Sequence, residues 1–239
     1  MRTSKCRGIK KIIQGSMAKL FLLRHLKSQW NTEFRFTGWT DVPLDQNELG
    51  KAGELAERVF RNQIDKIYSS SLFRNQDTVA RMLQYVNKYP IFVHLDPGQM
   101  KNWGNYKENG AGVPIYTTEK LNERYYGKLQ GINKEEAMKE YGEEKVHLWR
   151  RSFDIAPPGG ESLKAVCNRT TPFYKKYVEA DLKNGKNVLI VASHNSLRAT
   201  IKYVEKISDA DIINVEVPYG GLIEYELNES LKVLSKNII

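Results

Sequence analysis

Two histidines in this chain each follow a short apolar run: His25 comes after Leu20 to Leu23, and His194 after Val188 to Ala192. Each has an arginine close by, Arg24 and Arg198, and a third arginine, Arg74, opens a stretch with helical spacing. A neutral imidazole can attack phosphorus and carry a phosphoryl group as a covalent intermediate. Arginine pairs bidentately with phosphate oxygens and neutralises their charge, and a helix N-terminus adds its own preference for anions. On residue types alone, the set reads either as a phosphoryl-transfer site or as strand-end histidines and helix arginines with structural roles.

The elements that must position these residues follow from the periodicity. The run Leu20 to Leu23 fits a strand buried on both faces of a parallel sheet. Further strands are expected at Ile64 to Tyr68, Ile91 to Leu95, Asn187 to Ala192, Ile212 to Val217 and Leu222 to Leu227. Helical spacing covers Asp45 to Asn62, Arg74 to Tyr89 (stopped by Pro90), Asn133 to Tyr141, Glu143 to Arg150, Glu161 to Leu182 (bent at Pro172) and Ser196 to Glu205. Residues 96–113, rich in Gly, Asn, Lys and Pro, read as a loop or surface insertion. Strands alternating with helices predict an α/β fold: a single three-layer domain with a mainly parallel central sheet flanked by helices. In such sheets ligands bind beyond the carboxyl ends of the strands, which is where both histidines fall.

Composition narrows the function. The 239 residues are 41% hydrophobic and 27% charged, ordinary for a folded domain and unlike a disordered or low-complexity chain. No apolar run approaches the roughly 20 residues that span a bilayer, so no membrane partner is expected. Cys6 and Cys167 make no disulfide framework and no metal-type spacing, which fits a reducing, cytoplasmic setting and a site without metal. Of the net charge of +9, Arg2, Lys5, Arg7, Lys10 and Lys11 supply five; the remaining 32 basic and 28 acidic residues leave +4. That balance suits an enzyme of anionic small molecules better than a nucleic-acid binder. Residues 1–16 read as a basic, disordered extension ahead of a domain at 17–239. The alternatives are an upstream start before Met17 and an organelle-targeting segment.

Longer motifs sharpen the reading. The segment Leu22 to Asn31, with Arg24-His25 at its centre, resembles the nucleophile motif of the histidine phosphatase superfamily. Arg35 to Asp41, Leu121 to Gly131, Trp149 to Asp154 and Ser193 to Arg198 resemble, in order, further segments of its 2,3-bisphosphoglycerate-dependent phosphoglycerate mutases. The resemblance implies a phosphoglycerate mutase-like fold, interconversion of 3- and 2-phosphoglycerate through a phosphohistidine, priming by 2,3-bisphosphoglycerate, and a homodimer or homotetramer. It makes His25 the nucleophile, Glu123 the proton donor and acceptor, and His194 the second catalytic histidine. It gives substrate contacts to Arg24, Asn31, Thr37, Gly38, Arg74, Arg124, Tyr126, Lys134, Arg150, Arg151 and Asn195. His94 and His147 match nothing catalytic, and Trp30, Trp39 and Trp149 read as packing around the site.

Two departures from the family pattern fall on the site. Glycine follows the nucleophile in the family, whereas here Leu26 does, followed by Lys27; Leu26 is expected to crowd the phosphate or shift the His25 backbone. The second motif reads Ala192-Ser193-His194-Asn195, where the family has alanine-histidine-glycine-asparagine. Register therefore puts Ser193 in the histidine position and turns His194 away from the phosphate unless the turn rearranges. These departures keep two alternatives open: a weakly active or inactive paralogue, and a phosphatase of the same superfamily.

Overall fold

A computed structural model describes residues 17–104 and 110–239; the expectation for residues 1–16 lies outside the described residues. Seven strands form one sheet in the order β3-β4-β2-β5-β1-β6-β7. They are β1 (Ala18–Arg24), β2 (Lys66–Ser70), β3 (Tyr89–His94), β4 (Gly112–Thr118), β5 (Val188–Ala192), β6 (Leu222–Leu227) and β7 (Val233–Ile238). The first five are mutually parallel, and β6 and β7 add on antiparallel beside β1. The sheet is therefore mainly parallel, as expected. Nine α-helices connect and cover it: α1 (Gln29–Thr32), α2 (Lys51–Phe60), α3 (Phe73–Gln84), α4 (Gln99–Trp103), α5 (Lys134–Tyr141), α6 (Glu143–Arg151), α7 (Leu163–Phe173), α8 (Glu179–Lys183) and α9 (His194–Glu205) are those among the described residues.

The three layers follow from the two-residue period of the central strands. Leu20, Leu22, Ile190 and Ala192 face a core shared with Phe173, Val178, Leu197 and Ile201, from the α7–α8 region and α9. Phe21, Leu23, Leu189 and Val191 face the opposite core, shared with Leu55 and Val59 of α2 and Val79 and Met82 of α3. Among the described residues, no helix is long and apolar enough to cross a membrane.

Several boundaries differ from the periodicity. Asp45 to Asn62 divides into a 3₁₀ turn at Gln46–Glu48 and α2. Helix α3 ends at Gln84, stopped by Asn87 in the left-handed region (φ 54°), with Lys88 N–H donating to Leu83 O. Pro90 therefore does not end the helix; it lies inside β3, an edge strand that tolerates the missing donor. The supposed loop at 96–113 contains α4 and leads into β4, whose apolar pattern Gly112 and Pro114 interrupt. Ile212 to Val217 is not a strand; Asp211–Asn214 is a 3₁₀ turn, and the chain then runs irregularly to β6. The last strand, β7, is an edge strand of mixed polarity and carries too little alternation to be read. Pro172 does disturb its helix: α7 passes into α8 through a π-helical turn at Tyr174–Val178.

Candidate active site

The carboxyl ends of β1 and β5 are paired, with Arg24 opposite Ala192, so the two histidine segments emerge side by side. His25 is buried, and its Nδ1 lies 2.6 Å from Leu26 O while its Nε2 lies 3.3 Å from Arg74 Nε. That geometry puts the ring proton on Nδ1 and leaves Nε2 with its lone pair. Burial, then the charges of Arg74 and Arg24, hold the imidazole well below its usual pKa, so it is neutral. Arg74, wholly buried at the start of α3, is fixed by Gly38 O (2.7 Å) and Thr40 O (3.2 Å). Burial pushes its pKa down to about 10, which leaves it charged at neutral pH. Arg24 donates to Val217 O at 2.6 Å and lies 3.6 Å over the Tyr219 ring, and its Nε has no partner.

A cavity of about 370 Å³ opens beside His25. Of the expected site residues it brings together Arg24, His25, Asn31, Thr37, Gly38, Arg74, Glu123, Tyr126, Lys134, Arg150, Arg151, His194 and Asn195. Asn31 caps α1 through Ser28 and donates to Thr37 Oγ1 at 3.2 Å. Gly38 sits at φ 53°, a backbone conformation that favours glycine, and a Cβ there would fall 2.1 Å from Gln130 Oε1 and displace that side chain. Glu123 is buried; its Oε1 accepts from Arg124 N–H and Asn195 Nδ2, both at 2.6 Å. Its carbonyl is clamped by Trp39 Nε1 at 2.5 Å and Arg169 Nη2 at 2.9 Å. Lys134, the first residue of α5, packs 4.7 Å from the Phe34 ring. Burial, then Arg150 and Arg24, push its ammonium down to about 8.

Arg124 is the expected site residue that does not reach the cavity wall. It is wholly buried, donates to the carbonyls of Trp149 and Arg150, and holds Asn195 Oδ1 at 2.7 Å. It thus ties the end of α6 to the start of α9. Arg198 does similar work, bonding Asn195 Oδ1, Arg151 O and Ile212 O.

Both sequence departures resolve differently from expectation. Leu26 points into the core with Leu44 and Leu55 and does not line the cavity. Its φ is not positive, so glycine's freedom is not needed there. His194 does line the cavity: strand alternation ends at Ala192, and Ser193 becomes the N-cap of α9, which turns the next side chain inward. Ser193 is buried too, with Oγ 3.2 Å from Asn75 Nδ2 and 3.5 Å from Arg74 Nη2. The chain thus keeps a small hydroxyl against Arg74 and an imidazole farther along. Burial, then Arg24 and Arg198, push the His194 pKa well down, and its Nε2 lies 3.0 Å from Glu216 Oε2 without hydrogen-bond alignment.

Sequence reasoning missed Glu216 and Tyr219 as cavity residues, because the supposed strand over Ile212 to Val217 hid the turn that delivers them. The sequence signal was Pro218-Tyr219-Gly220, a turn signature just ahead of the apolar run Leu222 to Leu227. A larger groove, of about 1060 Å³, lies between α7–α9 and β6–β7. It contains no histidine, and its two carboxylates are already bonded, Glu179 to Tyr203 and Glu205 to Tyr225.

A buried neutral imidazole whose Nε2 lone pair meets only the Arg74 guanidinium, in a cavity lined by further guanidinium groups and two carboxylates, defines a phosphoryl-handling site. The sequence model of the histidine phosphatase superfamily (branch 1) matches residues 20–107 and 104–237. The chain is 43% identical over 218 residues to a 2,3-bisphosphoglycerate-dependent phosphoglycerate mutase of Methanococcus vannielii, covering 89% of this chain and 92% of the relative. A mutase of the same name from Protochlamydia amoebophila is 39% identical, covering 89% of this chain and 96% of the relative. Among solved structures, a mycobacterial hydrolase aligns with a TM-score of 0.71 at 20% identity over 93% of this chain and 96% of its own. The α-ribazole phosphatase of Shigella flexneri aligns with a TM-score of 0.69 at 20% identity, over 90% of this chain and 93% of its own. The chain therefore belongs to the histidine phosphatase superfamily and, within it, to the family of 2,3-bisphosphoglycerate-dependent phosphoglycerate mutases.

Proposed function

We propose that the chain interconverts 3-phosphoglycerate and 2-phosphoglycerate, with His25 as the group that carries the phosphoryl. The observation that carries this reading is the His25 ring: Nδ1–H donates to Leu26 O, and the Nε2 lone pair faces the cavity, accepting a 3.3 Å bond from Arg74 Nε that an incoming phosphoryl would replace. A neutral imidazole so held attacks phosphorus without first losing a proton. The N–P bond forms as the P–O bond breaks, while Arg24 and Arg74 balance the charge on the equatorial oxygens. Glu123 Oε1 is anchored by two donors at 2.6 Å, and Oε2, which accepts only a long 3.4 Å bond from Asn195 N–H, is the oxygen with room to take the proton of the attacking hydroxyl and to return it. His194 and Ser193 flank the phosphoryl position, and Asn31 and Thr37 orient it. Lys134, Arg150 and Arg151 bind the distal charges of the substrate, with Tyr126 and Asn195 closing that wall.

The residues also fit 2,3-bisphosphoglycerate, the phosphate donor in the relatives' names: seven basic side chains and two carboxylates line the cavity around His25, and the buried Arg24 Nε lacks a partner. When bound, that compound supplies the phosphate that first loads His25. Cytoplasmic location and a homodimer or homotetramer belong to the same reading. Ser193 in place of an imidazole beside Arg74 favours a second reading, a paralogue of low activity.

Labelled 2,3-bisphosphoglycerate should give an acid-labile phosphoenzyme in the wild type and none in His25→Ala, and a coupled assay should detect 2-phosphoglycerate. Label that persists on His25→Ala overturns the assignment. Labelling without 2-phosphoglycerate formation favours the second reading.

A further inference from the structure

Two carboxylates line the cavity, and only one of them has work in the reaction proposed above. Glu123 is buried and doubly anchored, whereas the Glu216 side chain is 53% exposed at the cavity mouth. Its Oε1 pairs with the Arg151 guanidinium and its Oε2 lies 3.0 Å from His194 Nε2. Burial and four arginines oppose protonation of His194, so among the described residues Arg151 is the cation paired with Glu216. The surrounding strap is firmly held: Val217 O accepts from Arg24, and the Tyr219 ring lies under the same guanidinium. The carboxylate therefore stands in the position that a ligand's outer anionic group would take on Arg151.

We propose that Glu216 is a specificity-determining residue, an internal carboxylate that lowers the pocket's affinity for ligands in step with their negative charge. Coulomb repulsion scales with the product of the charges. Inorganic phosphate seats at Arg24 and Arg74, away from Arg151, and carries at most two charges. A bisphosphorylated three-carbon acid carries about five charges and reaches Arg151, where it must displace the Glu216 carboxylate and then lie beside it. Glu216 thereby biases the pocket toward monophosphorylated ligands. The proposal takes the ligand class from the reading above, but it concerns binding and not turnover.

The test is calorimetric titration of the full-length chain with 2,3-bisphosphoglycerate and, separately, with inorganic phosphate, at fixed ionic strength. Glu216→Gln should bind 2,3-bisphosphoglycerate at least fivefold more tightly, which is about 1 kcal/mol. Its affinity for inorganic phosphate should change less than twofold, which also reports an intact inner pocket. Glu216→Asp keeps the charge while withdrawing it from Arg151, and should stay closer to wild type than Glu216→Gln. The gain should shrink in high salt, because the carboxylate is half exposed. Equal effects on both ligands, an unchanged affinity for 2,3-bisphosphoglycerate, or matching behaviour of the Asp and Gln variants overturns the proposal. If affinity is unchanged while mutase turnover is normal, this proposal alone falls. If neither chain binds 2,3-bisphosphoglycerate, it falls together with the function proposed above.

Discussion

Lys134 offers the sharpest pH signature in the molecule. Its half-buried ammonium lies against Phe34 and Phe36 and is repelled by Arg150 and Arg24, and partial loss of water, then those charges, brings its pKa down from 10.5 to about 8. A group with that pKa is roughly nine-tenths charged at pH 7, half charged at pH 8 and one-tenth charged at pH 9. The proton is lost as pH rises, and with it the attraction for an anionic substrate. In the free enzyme kcat/KM should therefore be level to about pH 7.5 and fall roughly tenfold per unit above pH 8. A bound polyanion restores the proton, so kcat should stay nearly flat over the same range. Lys134→Arg keeps its charge throughout and should abolish the inflection. Lys134→Met should lose about 1.5–3 kcal/mol of charged contact, or roughly 10- to 100-fold in kcat/KM at pH 7. Initial rates in a coupled assay from pH 6.5 to 9.5 give both parameters. A wild-type kcat/KM profile flat to pH 9.5, or an inflection near pH 8 that survives in Lys134→Arg, refutes the reasoning.

Leu26→Gly should lower Tm by on the order of 10 °C, because it removes a wholly buried side chain worth about 3–5 kcal/mol, with no gain in turnover per folded molecule. A faster enzyme of unchanged Tm would mean that Leu26 faces the phosphate after all. The folded-state pKa values of His25 and His194 lie below 6.5, so the unfolded chain takes up these protons first as pH drops. The stability they contribute is complete above about pH 6.5 and is lost toward their folded values, so thermal melts should weaken from pH 7 to pH 5.5. His194→Asn should weaken less over that interval, and an identical slope would remove His194 from the account.

The central strands β1 and β5 were legible because both faces of each are covered, which leaves continuous apolar runs in the sequence. The helices that cover them showed the matching stripes. Strands β4 and β7 were not legible: one carries Gly112 and Pro114, and the other is an exposed edge. In the site, residue identities came through the motifs, but directions did not. Leu26 and His194 each turned opposite to expectation, since backbone direction at a strand-to-helix turn is set by tertiary pairing and not by local alternation. Arg124 was recognised within its motif but not its use, because burial of a guanidinium against carbonyls leaves no mark in the sequence.

The π turn between α7 and α8 works as a vernier. At about 100° per residue, an unbroken α-helix would carry Val178 and Leu182 progressively around from the stripe begun by Leu163, Val166 and Thr170. The wider turn at Tyr174–Val178 accommodates one more residue than an α-helical turn would, and Val178 and Leu182 face the core with Phe173 and Tyr174, while Leu163 and Val166 face a separate apolar cluster with Ala199 and Ile212. The helix therefore keeps two phases, one for each end. In the first, Arg169 reaches the Glu123 carbonyl and braces the segment that carries it. In the second, Asp181 meets the Tyr68 hydroxyl at 2.6 Å beneath β2. The irregular turn thus stands between two contacts of one rod, one to the Glu123 segment and one to the sheet.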